Sequence, residues 1–565
     1  MCGVRRVRLQ QVARVNGVQM QTATDQAITP PIRQPILYGN WFTWLLWGIG
    51  TLVAAALLLP VGYLLIRAIG AGEATWQSLL RVRTLETLLR TLWLAFAVTG
   101  AAAAIAVPLA WITVRTDVPL RRLWAVLAPL PLVIPSYVGA YLMVSALGPR
   151  GLLQQVLEGP LGIERLPPLY GFPGALVTLT LLSYPYLLLS VRAALMRMDP
   201  ALEEASRSLG DSAWRTFWRV TFPLLRPALG AGGLLVALYT LRDFGAVAIM
   251  RYDTFTRVIY AQYQSFDRSQ AALLALIVVA VTAFFLVLEA QTQRRARYFQ
   301  GSTGGSRPPT VIRLGRWRWP ALFFCVGVVF FSLVLPALML VYWLVRGLLA
   351  GEVVSGLGIA TWNSLLGSGI AALVTTLAAL PVAFLVVRRP GWLSQLLERL
   401  TYSAFALPGI VIALALVFFG ANHAPWIYQT LPLLVLGYGI LFIPQAVGSL
   451  RSSLMQIHPS LEEVARSLGR SPARVFATIT LPLLRPGLSA GASLVFLTAI
   501  KELPATLLLA PIGFKTLATA VWSSVSEAFF AAAAAPALLI VLLSSLPMTF
   551  FILREQTYER DHRPL

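Results

Sequence analysis

Leu202–Leu229 reads LEEASRSLGDSAWRTFWRVTFPLLRPAL, and Leu461–Leu488 reads LEEVARSLGRSPARVFATITLPLLRPGL. The two stretches align without a gap and agree at 17 of 28 positions. Repetition at a fixed offset marks an internal duplication. Both are charged and punctuated by Gly and Pro, yet they interrupt a chain that is 57% hydrophobic and only 12% charged, with a mean hydropathy of +0.73. A soluble protein carries about 25% charged residues, so this composition places most of the chain in hydrocarbon.

Outward from the repeated stretches, runs of about 20 apolar residues suffice to cross a bilayer. Six are predicted in the first half, at roughly 44–66, 88–114, 123–147, 172–195, 225–250 and 271–290. Six more are predicted at roughly 320–345, 363–387, 396–419, 431–454, 486–510 and 529–553. The expected fold is therefore an all-α membrane protein of twelve transmembrane helices in two parallel six-helix repeats. The expected parts are an N-terminal tail (1–40), a first half (41–291), a linker (292–318), a second half (319–555) and a C-terminal tail (556–565). The linker's Gly, Ser, Pro and Arg content suits an exposed connection.

Charge sets the expected orientation. With the N-terminus inside, about 32 Lys and Arg fall in or beside cytoplasmic segments and about 11 in external ones. Both termini and the linker are thus expected in the cytoplasm. The net charge of +22 reads as topology and lipid headgroup contact, not as nucleic-acid binding. The first forty residues are polar and Arg-bearing, unlike a secretory signal, and Met20 is a candidate alternative start. Cys2 and Cys325 sit in a tail and an apolar run, so no disulfide or metal framework is expected.

The repeat spacing is informative. Pro108, Arg115 and Pro135 match Pro381, Arg388 and Pro408 at 273 residues, whereas Gly210, Pro223 and Phe255 match Gly469, Pro482 and Phe514 at 259. The 14-residue difference places an insertion in the first half's external loop, where Leu152, Leu153, Val156 and Leu157 have helical spacing. An even number of spans per half makes the repeats parallel, with the path expected between them.

Each duplicated stretch predicts a short cytoplasmic helix–turn–helix. Pro200 or Pro459 opens a helix. Glu203 and Glu204, or Glu462 and Glu463, occupy its first turn, where acids suit the dipole. Gly210 or Gly469 ends it. Leu209 and Leu468 stand as apolar knobs, a second helix carries Arg215 or Arg474, and Pro223 or Pro482 interrupts it before the membrane. A plain basic loop resting on lipid would not need the same Gly and Pro twice.

This pattern resembles the EAA loop of inner-membrane permeases from binding-protein-dependent ABC importers. Glu204-Ala205-Ser206, Gly210 and Phe222-Pro223 match its elements, as do Glu463-Val464-Ala465, Gly469, Ile479 and Leu481-Pro482. Ser206 and Val464 replace alanines, and Phe222 replaces a leucine. The resemblance implies that each short helix couples the bundle to a cytoplasmic ATPase, hence two ATPase copies per chain, and a periplasmic binding protein outside. It also implies a bacterial inner-membrane location. ATP and Mg²⁺ belong to the partner, with no cofactor expected in this chain. Consistently, neither Lys501 nor Lys515 sits in the G-x-x-x-x-G-K-[ST] of a P-loop. This chain is not itself expected to be an enzyme.

Arg242-Asp243 aligns with Lys501-Glu502, about 24 Å along the fifth span of each half at 1.5 Å per residue. These pairs either snorkel at the outer rim or have Asp243 and Glu502 facing one another as an outer gate or a cation-receptive ring, which makes both acids candidate metal ligands. DFGAVAIMRYDTFTRVIY and KELPATLLLAPIGFKTLA resemble the ferric-iron branch of the same permeases, and hard Fe³⁺ prefers oxygen ligands. Thiamine, polyamine, phosphonate and sulfate importers share the architecture. A proton-coupled secondary transporter is the rival from another class; it would need ionisable residues mid-span. Tyr252, Asp253, Tyr260 and Tyr263 read as interfacial residues or as contacts for a binding protein. His423, His458 and His562 fall on three segments and form no ligand set.

Overall fold

The computed structural model describes residues 40–79, 81–265, 267–296, 311–351 and 356–561. The expectations for Cys2, Met20, His562 and most of the linker lie outside these residues. Among the described residues the chain is helical, with one isolated parallel bridge between Thr116 and Ile312. Eight helices are long and apolar enough to cross a membrane, or ten if two sharply bent pairs each count as one. Uninterrupted spans include Val82–Arg115, Phe172–Arg197, Leu357–Arg388 and Leu431–Gln456.

The predicted continuous spans at 123–147 and 396–419 are instead broken helices. The first bends by 101° between Arg121–Val133 and the helices that follow Pro135. Its counterpart breaks before Pro408, and the helix Gly409–His423 that follows has only 15 residues. The cause is local. A residue preceding proline is pushed out of the α region, and Ile134 and Leu407 have ψ of 120° and 119°. The fifth segments break too, after Arg242 in one half and after Ala499 in the other.

The halves are interwoven. In the cores around Val98, Leu109 and Leu188, and around Ala379, Phe384 and Leu441, the first helix comes from the opposite half. Phe42, Leu46, Val53 and Leu57 of helix Asn40–Ile69 pack in the second-half core, while Cys325 and Val329 of helix Arg318–Val329 pack in the first-half core. Polar contacts follow the same exchange. Arg389 Nη2 donates to Thr43 Oγ1 at 3.2 Å. Tyr184 Oη donates to Ala128 O at 2.8 Å and lies 3.3 Å from Ser332 Oγ. The end of the linker joins in: Ile312 N donates to Arg115 O at 2.8 Å, and Leu314 N donates to Asp117 Oδ1 at 2.8 Å.

Close approaches use glycine where a side chain has no room. A Cβ on Gly174 would fall 1.8 Å from Leu169 O and 2.7 Å from Met250 Sδ, whereas one on Gly100 would meet nothing within 4 Å. Overpacking costs about 1–3 kcal/mol. Gly174→Ala is therefore expected to lower the melting temperature of the detergent-purified chain, and Gly100→Ala to leave it unchanged or raise it.

Candidate functional site

The duplicated stretch folds as a short helix in both halves, Pro200–Ser208 and Pro459–Ser467, each with proline in its first turn. Asp199 caps the first by accepting from Ala201 N at 3.0 Å. His458 caps the second, its Nδ1 accepting from Ser460 N at 3.3 Å, so this histidine orders a helix end. Gly210 and Gly469 follow with φ of 93° and 82°, a left-handed turn that other residues enter only at a cost. Leu209 and Leu468 are 87% and 77% exposed. Such exposure of a leucine at a charged turn leaves both side chains available to another surface.

The two acids of each doublet have different environments. Glu203 and Glu462 are buried, while Glu204 and Glu463 are exposed. Glu203 Oε2 lies 3.5 Å from Arg115 Nη1, and Glu462 Oε1 lies 3.2 Å from Arg388 Nη2. Arg388 also donates through Nη2 to Ile457 O at 2.9 Å. Arg115 makes the ion pair without a hydrogen bond, and Glu203 accepts its bond from Thr221 Oγ1 at 2.8 Å, whereas Glu462 accepts from Arg388 Nε at 3.2 Å and from Thr480 Oγ1 at 3.2 Å. Ala465 is buried with Glu462, whereas Ala205 is exposed and Ser206 takes the buried place, its Oγ donating to Asp211 Oδ2 at 3.0 Å.

The threonines stand at the ends of matched π-helical turns, Phe217–Thr221 and Phe476–Thr480. Pro223 and Pro482 follow within two residues. Proline lacks an N–H and crowds the carbonyl four residues back; a wide turn removes that conflict. The expected interruption at Pro223 is thus a π turn inside a helix that continues to Arg242. After Pro482 the chain bends by 66°. Arg215 and Arg474 are both exposed, and Arg215 lies 3.7 Å from Asp211.

The second pair of expected sites lies at the breaks of the fifth segments. Asp243 is 8% exposed and caps the helix after it, Oδ1 accepting from Ala246 N at 2.9 Å and Val247 N at 3.4 Å. Thr256 Oγ1 donates to Asp243 O at 2.6 Å, and Ser136 lies beside Gly245 at the start of the helix that follows. This burial does not fit a side chain snorkelling at the rim. Glu502 occupies the equivalent cap, accepting from Ala505 N at 3.3 Å. A Cβ on Gly409 would fall 2.6 Å from Glu502 Oε1, so the residue matching Ser136 makes room for the longer acid. Lys501 Nζ crosses between halves to donate to Leu132 O at 2.8 Å. Arg242, Asp243 and Lys501 each lie near enough to Glu502 to act on its charge. Among the described residues no group of three or more His, Cys, Asp or Glu could hold a metal ion.

Sequence reasoning placed the doubled helices, their proline starts and their Gly stops, but not the caps at Asp199 and His458. It treated Arg115 and Arg388 only as repeat markers and overlooked Thr221, Thr480, Ser136 and Gly409. The matched arginine at the last residue of each second long helix of a half, paired in the repeat with a doubled Glu, was the available signal.

The family described as binding-protein-dependent transport system inner membrane component matches residues 102–298 and 376–554. The chain belongs to this family and carries two such units fused in one polypeptide, as a multi-pass membrane transport subunit of an ABC importer. It is 36% identical over 525 residues to the Fe(3+)-transport system permease protein FbpB 2 of Haemophilus influenzae, covering 92% of this chain and 99% of that one. It is 26% identical over 442 residues to the ferric transport system permease protein FbpB of Actinobacillus pleuropneumoniae, covering 75% of this chain and 64% of that one. One half resembles the molybdenum transport system permease protein ModB of Escherichia coli, 30% identical over 195 residues, 33% of this chain and 84% of that one.

Removing one partner of a buried ion pair costs about 3–5 kcal/mol, because the other charge stays buried and unmatched. Glu462→Ala and Arg388→Ala should each cause a large fall in melting temperature. Glu463→Ala, one residue along but exposed, should leave the melting curve in place. Equal effects of Glu462→Ala and Glu463→Ala would remove the distinction between the two acids.

Proposed function

We propose that this chain is the permease of an ATP-driven importer of ferric iron, receiving the ion from a periplasmic binding protein and releasing it to the cytoplasm. In this reading all twelve apolar segments enter the bilayer, the third of each half as a broken helix, and both termini are cytoplasmic. Two copies of a cytoplasmic ATPase, which hold ATP and Mg²⁺, seat the helices Pro200–Ser208 and Pro459–Ser467. Leu209 and Leu468 enter the ATPase groove, with Glu204, Glu463, Arg215 and Arg474 at its edge. Residues 41–291 and 319–555 are the two permease halves, joined by a cytoplasmic linker.

The observation that carries this reading is that both short helices are tied by a buried pair to the second span of their own half. A displacement of the short helix must then move Val82–Arg115 or Leu357–Arg388. ATP-driven approach of two ATPases would press both levers together and rock the bundle between states open to either side. Iron is proposed as cargo because it is named for the relatives matched over most of this chain. Asp243 and Glu502, capping the two breaks between the halves, are proposed to gate the path.

The test is uptake of radiolabelled iron by cells or proteoliposomes holding the full system. Leu209→Asp with Leu468→Asp should abolish co-purification of the ATPase and uptake together, while the chain remains folded. Asp243→Asn with Glu502→Gln should impair uptake but leave the ATPase bound. Uptake that follows a proton gradient and persists without any ATPase would replace this reading with secondary transport.

A further inference from the structure

Near Phe244 and Trp522, between the two halves, lies a cavity of about 1100 Å³ whose charged lining is lopsided. Arg83, Arg90, Arg251 and Arg257 face it, against only Glu86 and Asp253. Both acids are already committed: Arg90 pairs with Glu86 and Arg257 with Asp253. Arg83 and Arg251 have no acidic partner among the described residues. The cavity wall therefore carries two surplus positive charges.

Two further observations set this cluster apart from ordinary surface charge. First, all six charged groups come from the first half. The positions matching them in the second half are Gly356, Ile359, Asn363, Ala510, Ile512 and Thr516, none of them charged. Bundle architecture alone does not call for these arginines, since the repeat builds the same place without them. Second, Arg251 is held in a costly conformation. Its φ is 55°, in the left-handed region where non-glycine residues are uncommon, and strain of this kind gathers at functional sites. Its guanidinium lies 5.3 Å from the Tyr170 ring centroid, and the neighbouring strands of chain are stitched by Gly171 N donating to Met250 O at 2.6 Å. The backbone at Arg251 is thus set before any ligand arrives, and its exposed guanidinium rests against the Tyr170 ring.

We propose that this cavity is an oxyanion-binding vestibule, taking a small carboxylate- or phosphate-bearing anion between Arg83 and Arg251. Guanidinium groups bind such anions through paired, charge-assisted hydrogen bonds. The cavity is concave and of ligand size, and its walls come from both halves, which favours a small anion over a flat protein face or a lipid headgroup. Resting on the iron-importer reading and its orientation, the consequence is that iron enters the external mouth as an anion-capped ferric complex. The bare trivalent ion would be repelled by the surplus arginines.

The test begins without iron. Inorganic phosphate and citrate are titrated calorimetrically into the full chain, purified in a neutral detergent. Saturable binding that weakens with added NaCl is expected. Arg83→Gln with Arg251→Gln should weaken it at least about ten-fold, whereas Arg121→Gln with Arg122→Gln, at the other end of the bundle, should not. Arg251→Lys, which retains the charge, should bind more tightly than Arg251→Gln, and this pair keeps the comparison readable if the double variant fails to fold. Absence of saturable binding, or unchanged binding in a double variant with a normal melting curve, overturns the proposal. So does a double variant that loses only its association with the binding protein, which would assign the cavity to protein docking. Because the titration involves no transport, anion binding that persists in a chain unable to move iron upholds the vestibule and removes only the choice of cargo.

Discussion

A charge buried at the end of a long apolar helix must be matched or the helix end does not stay folded. Arg115 and Arg388 stand in that position, at the last residue of helices Val82–Arg115 and Leu357–Arg388. Each is matched by the first acid of a doublet that sits 74 or 88 residues further on in sequence. The pair fixes a nine-residue helix that could not be stable alone, since isolated helices below about 12–15 residues are marginal in water. The same helix has its outer face free, because the glycine turn leaves the leucine before it exposed. Rigid attachment on one face and availability on the other are what a lever requires.

The breaks in the third and fifth segments solve a related problem. Interrupting a helix inside a bundle frees backbone donors that hydrocarbon cannot satisfy. Asp243 and Glu502 supply acceptors for the N–H groups at the start of the next helical piece, so the acid and the break stabilise one another. Ser136 and Gly409 show how the two halves accommodate acids of different length at equivalent places. The exchange of first helices then prevents either half from moving as an isolated body, because each core contains a helix belonging to the other half.

Much of this architecture was legible in the residues, and the gaps have physical causes. Apolar length located the helical segments, and the doubled Gly and Pro located the short helices between the fourth and fifth segments. Continuity failed at Pro135 and Pro408 because hydropathy does not register that a pre-proline residue leaves the α region. The doublets Glu203-Glu204 and Glu462-Glu463 did not reveal which acid is buried, since adjacent helical residues point about 100° apart and only the tertiary partner decides. The π turns were hidden for the same reason: a proline announces a conflict, not how the chain relieves it. The helix exchange left no trace, because a helix apolar on every side gives no indication of which neighbour it packs against.

The two ends of the bundle differ in how far the duplication has been kept. On the side of the short helices the halves retain matching glycines, prolines, π turns and buried pairs, as expected if both receive the same thrust. Around the cavity the correspondence is lost: one half presents six charged groups and the other none. Symmetric work requires two equivalent levers, but a single cargo arriving from one donor requires only one recognition surface. Duplication kept the short helices and their buried pairs in both copies and left the cavity wall free to diverge in one. The 14-residue insertion between the third and fourth segments of the same half follows that division. It forms helix Leu152–Leu161 with Leu153 and Val156 exposed, adding apolar surface to the half that carries the arginines.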